Sequence, residues 1–208
     1  MTHLTRRRTL AALAATAAAP AVARTPAESA VQTGRAAPDF SVTDTKGVRH
    51  ALAAYRGKIV ILEWTNHECP YTAKHYATGN MQALQAAATA SGAIWLTVVS
   101  SRPRSQGYVE AAEADELTVS RNARPTGVVL DPRGQLGRLY GASTTPHMFV
   151  IDASGVLVYM GAIDDRPSAS HASVQGARNY VREALDAMAA GRPIALASTR
   201  PYGCTVKY

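Results

Sequence analysis

The chain is most informative in what it lacks. Its 208 residues hold two cysteines, two tryptophans and two phenylalanines. Cys69 has no companion in a CxxC motif, because the second position of such a motif is Thr72. No stretch approaches the roughly 20 consecutive apolar residues that a membrane-spanning helix needs. Internal repeats are absent, and low complexity is confined to the first residues. Basic residues are scattered and not interleaved with aromatic ones, which excludes a nucleic-acid-binding surface. With 47% hydrophobic residues, the length supports one well-packed domain and not two of ordinary size.

What is present begins with TRRRTLAALAATAAAPAVA. Three arginines precede an apolar run over residues 10–19, and Ala21-Val22-Ala23 supplies a small-x-small cleavage site. This pattern predicts an export signal over residues 1–23, with a mature chain starting near Arg24. Thr5-Arg6-Arg7 followed by Leu10 resembles a twin-arginine signal, although Thr9 stands where that pattern favours phenylalanine. Cleavage removes three arginines and no acid, so the formal charge falls from +7 to +4. Export, to the periplasm by expectation, would also place the two cysteines in an oxidising compartment. There an even pair is expected to form a disulfide or to cycle through one.

Residues 24–36 are rich in Ala, Pro, Ser and Thr and are expected to form a linker. Beyond them strands and helices alternate. DFSVTD, KIVILEW, AIWLTVVS and TGVVLD are predicted strands. The stretch after Cys69 is helical in two pieces interrupted at Gly79-Asn80, with Asn80 available as a cap. YVEAAEADELTV is an amphipathic helix, and SVQGARNYVREALDAMAAG closes as a helix with Gly191 just past its end. TTPHMFVIDASGVLVYMGAI gives two strands joined by a turn at Asp152-Ala153-Ser154-Gly155. Alternation of this kind predicts an α/β sheet covered on both faces, with one antiparallel hairpin.

Cys69 follows a strand and precedes Pro70, a residue suited to the first helical position because its missing N–H is not needed there. A sulfur at that N-cap lies at the positive end of the helix dipole, which favours thiolate, the nucleophilic form. Glu63 is chemically odd within IVILEW, since burying an isolated carboxylate is costly. Strand alternation leaves two readings open for it, a buried functional acid or a solvated side chain.

APDF, YRGKIVILEW, NHECPY, TTPHMFVID and GVLVYMGAIDD occur in the order of the thioredoxin superfamily. The chain resembles most closely its peroxiredoxin-like redoxins of the alkyl hydroperoxide reductase/thiol-specific antioxidant (AhpC/TSA) type, over residues 37–190. The resemblance implies a thioredoxin-like fold, a central mixed β-sheet flanked by helices on both faces. It implies that Pro146 is a cis-proline facing Cys69, with Thr145 before it. It also implies that Glu63 is the buried acid that takes and returns the proton of a resolving thiol. The expected groove comprises Trp64, Asn66, His67, Pro70, Thr72, Thr145 and Pro146.

Peroxidatic members of that group resemble P-x-x-x-T-x-x-C, with a remote arginine that helps position peroxide. Here the corresponding positions hold Leu62 and Asn66, and Pro146 replaces the arginine. A peroxide would therefore lack its usual polarising cation. Thiol–disulfide exchange asks only for an activated sulfur, a cis-proline groove and a resolving thiol. Copper-delivery members of the superfamily carry two cysteines within the motif and a distant histidine, a pattern that His67 and the single nearby Cys69 do not resemble, so no metal or other cofactor is expected. His75 is expected on the helix surface, with His67 tuning the thiolate.

The tail over residues 191–208 carries the second sulfur, Cys204. From Gly191 the chain can extend ~40 Å to reach it, against a radius of gyration near ~15 Å for such a domain. Its glycine-cysteine-x-aliphatic-lysine-aromatic ending resembles the tail of related redoxins and implies a resolving cysteine. A structural disulfide, worth roughly 4–5 kcal/mol by loop closure, is the other reading that spacing allows. The sequence thus points to an exported thiol–disulfide oxidoreductase acting on protein or small-molecule disulfides or thiols. It names neither the reductant nor an oligomeric state.

Overall fold

The computed structural model describes Met1 and residues 31–208; the rest of the expected export signal, and residues 24–30 of the expected linker, lie outside the described residues. In chain order the strands are β1 (Arg35–Ala36), β2 (Ser41–Thr43), β3 (Arg49–Ala51), β4 (Val60–Trp64), β5 (Ile94–Val99), β6 (Gly127–Leu130), β7 (Thr144–Thr145), β8 (His147–Ile151), β9 (Val156–Gly161) and β10 (Cys204–Thr205). The helices are α1 (Pro70–Ala77), α2 (Asn80–Ala90), α3 (Ala111–Ser120), α4 (Gln135–Tyr140) and α5 (Tyr180–Ala189).

Every residue of β4 and β5 is buried, as parallel strands covered on both faces require. The main sheet runs β1-β9-β8-β4-β5-β6. β4, β5 and β6 are parallel, while β8, β9 and β1 are antiparallel to their neighbours. On one face Ile61, Trp95 and Val150 pack against α2 and α5 through Met81, Leu84 and Val181. α3 extends that layer, with Ala114 and Leu117 against Val99 and Val128. On the other face Leu62, Leu96 and Phe149 pack against Leu136 and Tyr140 of α4 and Val206 of the tail. The sheet is therefore mixed and has helices on both faces, the thioredoxin-like arrangement expected.

Several local expectations shift. Arg35 and Ala36, placed in the linker, pair with Leu157 and Val156 as an edge strand. Gly79, not Asn80, occupies the N-cap of α2, because the chain turns there at φ +74, where glycine has no Cβ penalty. The last helix starts later than its apolar pattern suggested: Asn179 caps it by accepting the Arg182 N–H at 3.0 Å. A separate turn of 3-10 helix, His171–Val174, precedes it. The helix α4 and the pairings of β2 with β3 and of β7 with β10 were not anticipated.

Candidate active site

β4 delivers the chain to a tight loop that ends at Cys69. Asn66 makes the turn, since its Oδ1 accepts the Glu68 N–H at 2.9 Å and its carbonyl accepts the Cys69 N–H at 3.1 Å. Cys69 is then the N-cap of α1 and Pro70 its first helical residue. The Cys69 carbonyl accepts from Thr72 and Ala73, closing the first turn. The Cys69 side chain is fully buried. Its thiol donates to the Thr145 carbonyl at 3.0 Å.

Thr145 is also where the tail arrives. β10 pairs antiparallel with β7, which sets Cys204 opposite Thr145, and the peptide from Thr145 to Pro146 is cis. The two sulfurs that sequence separates by most of the domain thus meet over one residue. Neither is in a disulfide. Burial pushes the Cys69 thiol up. Hydrogen bonds from the Cys204 thiol, the Thr145 hydroxyl and the N–H groups of Cys204 and Thr72 outweigh it, and Cys69 lies below its ordinary value. Cys204 moves the other way, raised by burial and then by its hydrogen bond to Cys69 and the negative charge there. One sulfur is set up to hold the charge and the other to hold the proton.

Glu63 is buried and caged by donors. Tyr76 donates to Oε1 at 2.7 Å, and Trp95, Gln85 and Thr97 donate to Oε2 at 2.8, 3.1 and 3.1 Å. Burial raises its pKa, opposed by these four bonds. None of its hydrogen bonds among the described residues reaches Cys69 or Cys204. Beside the loop opens a small pocket of about 40 Å³ lined in part by Thr65, His67, Tyr76, Thr97 and Arg121. It shares Tyr76 and Thr97 with the Glu63 cage.

Other expected groove residues divide. Thr145 meets both cysteines, the Thr72 N–H reaches Cys69, Pro146 follows Thr145 across the cis peptide, and Pro70 is exposed at the helix start. Trp64 is a core residue instead: strand alternation turns it to the face opposite Glu63, against Phe149 and Tyr140 at 5.1 and 5.8 Å. The Asn66 amide is spent on Glu68 and Gln106. The His67 ring lines the pocket, and the groups that lower Cys69 are Cys204, Thr145 and Thr72. His75, expected at the surface, is fully buried beside Lys74. Among the described residues no three His, Cys, Asp or Glu side chains converge as a metal site. The buried cluster of Lys74, His75 and Asp164 beneath Tyr202 gave no sequence signal, since charged residues in a short helix or a loop read as solvated.

The chain matches the AhpC/TSA family over residues 33–160. It is 30% identical to the thiol-disulfide oxidoreductase ResA of Geobacillus kaustophilus over 135 residues, 62% of this chain and 68% of that protein. A hypothetical protein of Sinorhizobium meliloti 1021 superposes with a TM-score of 0.72 at 20% identity, over 86% of this chain and 96% of that one. A structure from Chlorobium tepidum, provisionally described as thiol:disulfide interchange protein DsbE, superposes with a TM-score of 0.51 at 25% identity, over 63% of this chain and 85% of that one.

Proposed function

The chain belongs to the AhpC/TSA family, and from that premise we propose that it is an exported thiol–disulfide oxidoreductase whose reacting sulfurs are Cys69 and Cys204. The observation that carries this reading is their meeting at Thr145 with pKa values displaced in opposite directions. The name of the Geobacillus relative supports the same reaction class. The arginine-rich, apolar start of the sequence supports export.

In the forward direction the Cys69 thiolate attacks one sulfur of a substrate disulfide. A Cys69–substrate disulfide forms, and the other substrate sulfur leaves as thiolate. Cys204 then gives up its proton and attacks Cys69 Sγ. The second substrate thiolate leaves, and the Cys69–Cys204 disulfide holds the two electrons' worth of oxidation. A dithiol reductant returns the pair to its reduced state by the same chemistry. The low pKa of Cys69 serves twice, making it the better nucleophile at neutral pH and the better leaving group when the internal disulfide is reopened. Glu63 hydrogen-bonds to neither sulfur, and in this reading its cage of donors holds the strand behind the Cys69 loop. Cys204, only partly buried, passes its proton to solvent.

Mass spectrometry after incubation with a small disulfide tests this assignment. Cys204→Ser is expected to accumulate a mixed disulfide on Cys69, and Cys69→Ser to accumulate none. Equal, inert behaviour of the two variants, with a wild-type disulfide that resists mild thiol reductants, would mean a structural staple.

A further inference from the structure

Lys74 and His75 lie in α1, the helix that Cys69 caps, yet both are fully buried. They face Asp164, also buried, in the segment after β9. Lys74 Nζ stands 3.5 Å and His75 Nε2 3.9 Å from Asp164 Oδ2. Lys74 also donates to the Arg166 carbonyl at 2.7 Å and to the Ser173 hydroxyl at 3.3 Å. Burial, then the Lys74 charge, pushes His75 down to about 3, so the imidazole is neutral. Asp164 Oδ2 has no hydrogen-bond partner. Oδ1 accepts the Arg166 N–H at 3.0 Å and the phenol of Tyr202.

Tyr202 therefore carries a donor from the tail to a carboxylate held by α1. A buried carboxylate is tolerated only when its lone pairs are met, and a bond to a charged acceptor is the stronger kind. The Tyr202 ring is fixed as well, 5.0 Å from Lys74 Nζ and edge-on to Tyr71 at 5.9 Å. One residue further, Gly203 crosses Thr145 at φ +132, so closely that a Cβ there would stand 2.0 Å from the Thr145 carbonyl oxygen. That oxygen is the acceptor of the Cys69 thiol. The residue after Gly203 is Cys204.

We propose that Tyr202 and Gly203 are the positioning residues of the sulfur pair. Tyr202 latches the tail to the Asp164–Lys74 cluster behind α1, and Gly203 lets the tail press onto Thr145. Together they hold Cys204 against Cys69 and seal Cys69 from solvent. The proposal rests on the reading of Cys69 and Cys204 as redox partners. It adds a consequence for substrates: Cys69 is fully buried, so a disulfide reaches it only when the Tyr202 latch opens.

Equilibration of the full chain with glutathione buffers measures the effective concentration of Cys204 toward Cys69. Tyr202→Phe keeps the ring and removes only the donor. It is expected to lower that concentration roughly tenfold to a hundredfold, the range set by a buried carboxylate losing a donor. Gly203→Ala is expected to lower it at least as far. In a Cys204→Ser background both substitutions are expected to speed alkylation of Cys69 by iodoacetamide, because the seal loosens. Circular dichroism checks folding; should Gly203→Ala not fold, the single-oxygen change at Tyr202 decides the matter. A wild-type disulfide whose equilibrium and Cys69 alkylation are both unchanged by Tyr202→Phe overturns the proposal and leaves the redox pair standing. A wild-type chain that forms no Cys69–Cys204 disulfide overturns the pair itself, and the positioning role falls with it.

Discussion

Tyr76 donates its phenolic proton to Glu63 Oε1 at 2.7 Å, in a part of the molecule where Glu63 meets no solvent. The relationship ties the helix that Cys69 caps to the strand before it. It also sets the electrical state of the acid. Three further donors converge on Oε2, and all of them favour the carboxylate, whereas burial favours the neutral acid.

Burial is the larger influence and leaves the Glu63 pKa above its ordinary 4.5. A group whose folded pKa is raised contributes stability that is full below the unfolded pKa and is lost as pH rises through the folded one. Glu63→Gln removes that titration while its amide oxygen can still meet Trp95, Gln85 and Thr97. The stability of the variant relative to wild type is expected to rise by about 1.4 kcal/mol per pH unit from pH 4.5 upward, levelling off at the folded pKa. Urea denaturation of both proteins across pH 4 to pH 9 measures it. A pH-independent difference would mean that Glu63 is ionised throughout.

Two histidines give the opposite slope. His147 is pushed down to about 4 by burial, and His75 to about 3 by burial and the Lys74 charge. Both ordinarily titrate near 6.5. Below that value the unfolded chain binds protons that the folded chain refuses, so stability falls with pH until the folded values are reached. At pH 5 each histidine is expected to have cost roughly 2 kcal/mol relative to pH 7. His147 Nδ1 accepts the Ser143 N–H at 3.3 Å, a bond that the Oδ1 of His147→Asn can replace. That variant should show a shallower acid limb in urea denaturation. An acid limb identical to wild type would place the loss elsewhere.

Much of the architecture was legible because burial leaves a plain mark on strands. VILEW and IWLTVV are apolar runs each broken by one polar residue, Glu63 and Thr97, and Cys69-Pro70 marks the helix start by its missing N–H. The approach of Cys69 to Cys204 was legible from their count, since an even pair in an exported chain is expected to form a disulfide or cycle through one, while spacing alone allowed a staple as readily as a redox couple. Trp64 was misplaced because two adjacent strand residues, Glu63 and Trp64, were both assigned to the site, while the pleat turns them to opposite faces. Lys74, His75 and Asp164 were illegible for a different reason. Their burial comes from contacts with residues far away in the chain, Arg166, Ser173 and Tyr202 among them, and no local periodicity records such contacts.

The other end of the tail makes a further test. The Tyr208 ring lies over α4, with Arg138 stacked on it at 4.6 Å and its hydroxyl donating to the Ala142 carbonyl at 2.6 Å. A Cβ at Gly137 would stand 2.4 Å from the Tyr208 hydroxyl. Alanine is the better helix former by up to about 1 kcal/mol, so local propensity alone predicts that Gly137→Ala stabilises. The contact predicts the reverse, a net loss of roughly 1–3 kcal/mol as the ring is forced out. Combining Gly137→Ala with Tyr208→Ala should recover the propensity gain. Thermal melting of the two singles and the double separates these outcomes, and a stabilised single variant would show that Tyr208 yields without cost.

Peroxide chemistry offers the sharpest contrast within the family. Reduction of a peroxide needs positive or strongly donating groups where charge develops on the departing oxygen. The donors that lower Cys69 are the Cys204 thiol, the Thr145 hydroxyl and two backbone N–H groups, none of them cationic. Asn66 cannot be recruited cheaply. Its amide is held by Glu68 and Gln106, and Gly107 packs so close that a Cβ there would lie 2.3 Å from it. Hydrogen peroxide is therefore expected to oxidise Cys69 only as fast as its thiolate fraction dictates, with the rate rising across the Cys69 titration and then flat. Asn66→Ala should cost roughly 1–2 kcal/mol of stability through its lost hydrogen bonds and leave that peroxide rate unchanged. Stopped-flow measurements on Cys204→Ser against pH give the rate, and urea denaturation gives the stability. Consumption at the rates of dedicated peroxidases, or a steep loss of it in Asn66→Ala, would show that the loop activates peroxide and that disulfide exchange is not its main chemistry.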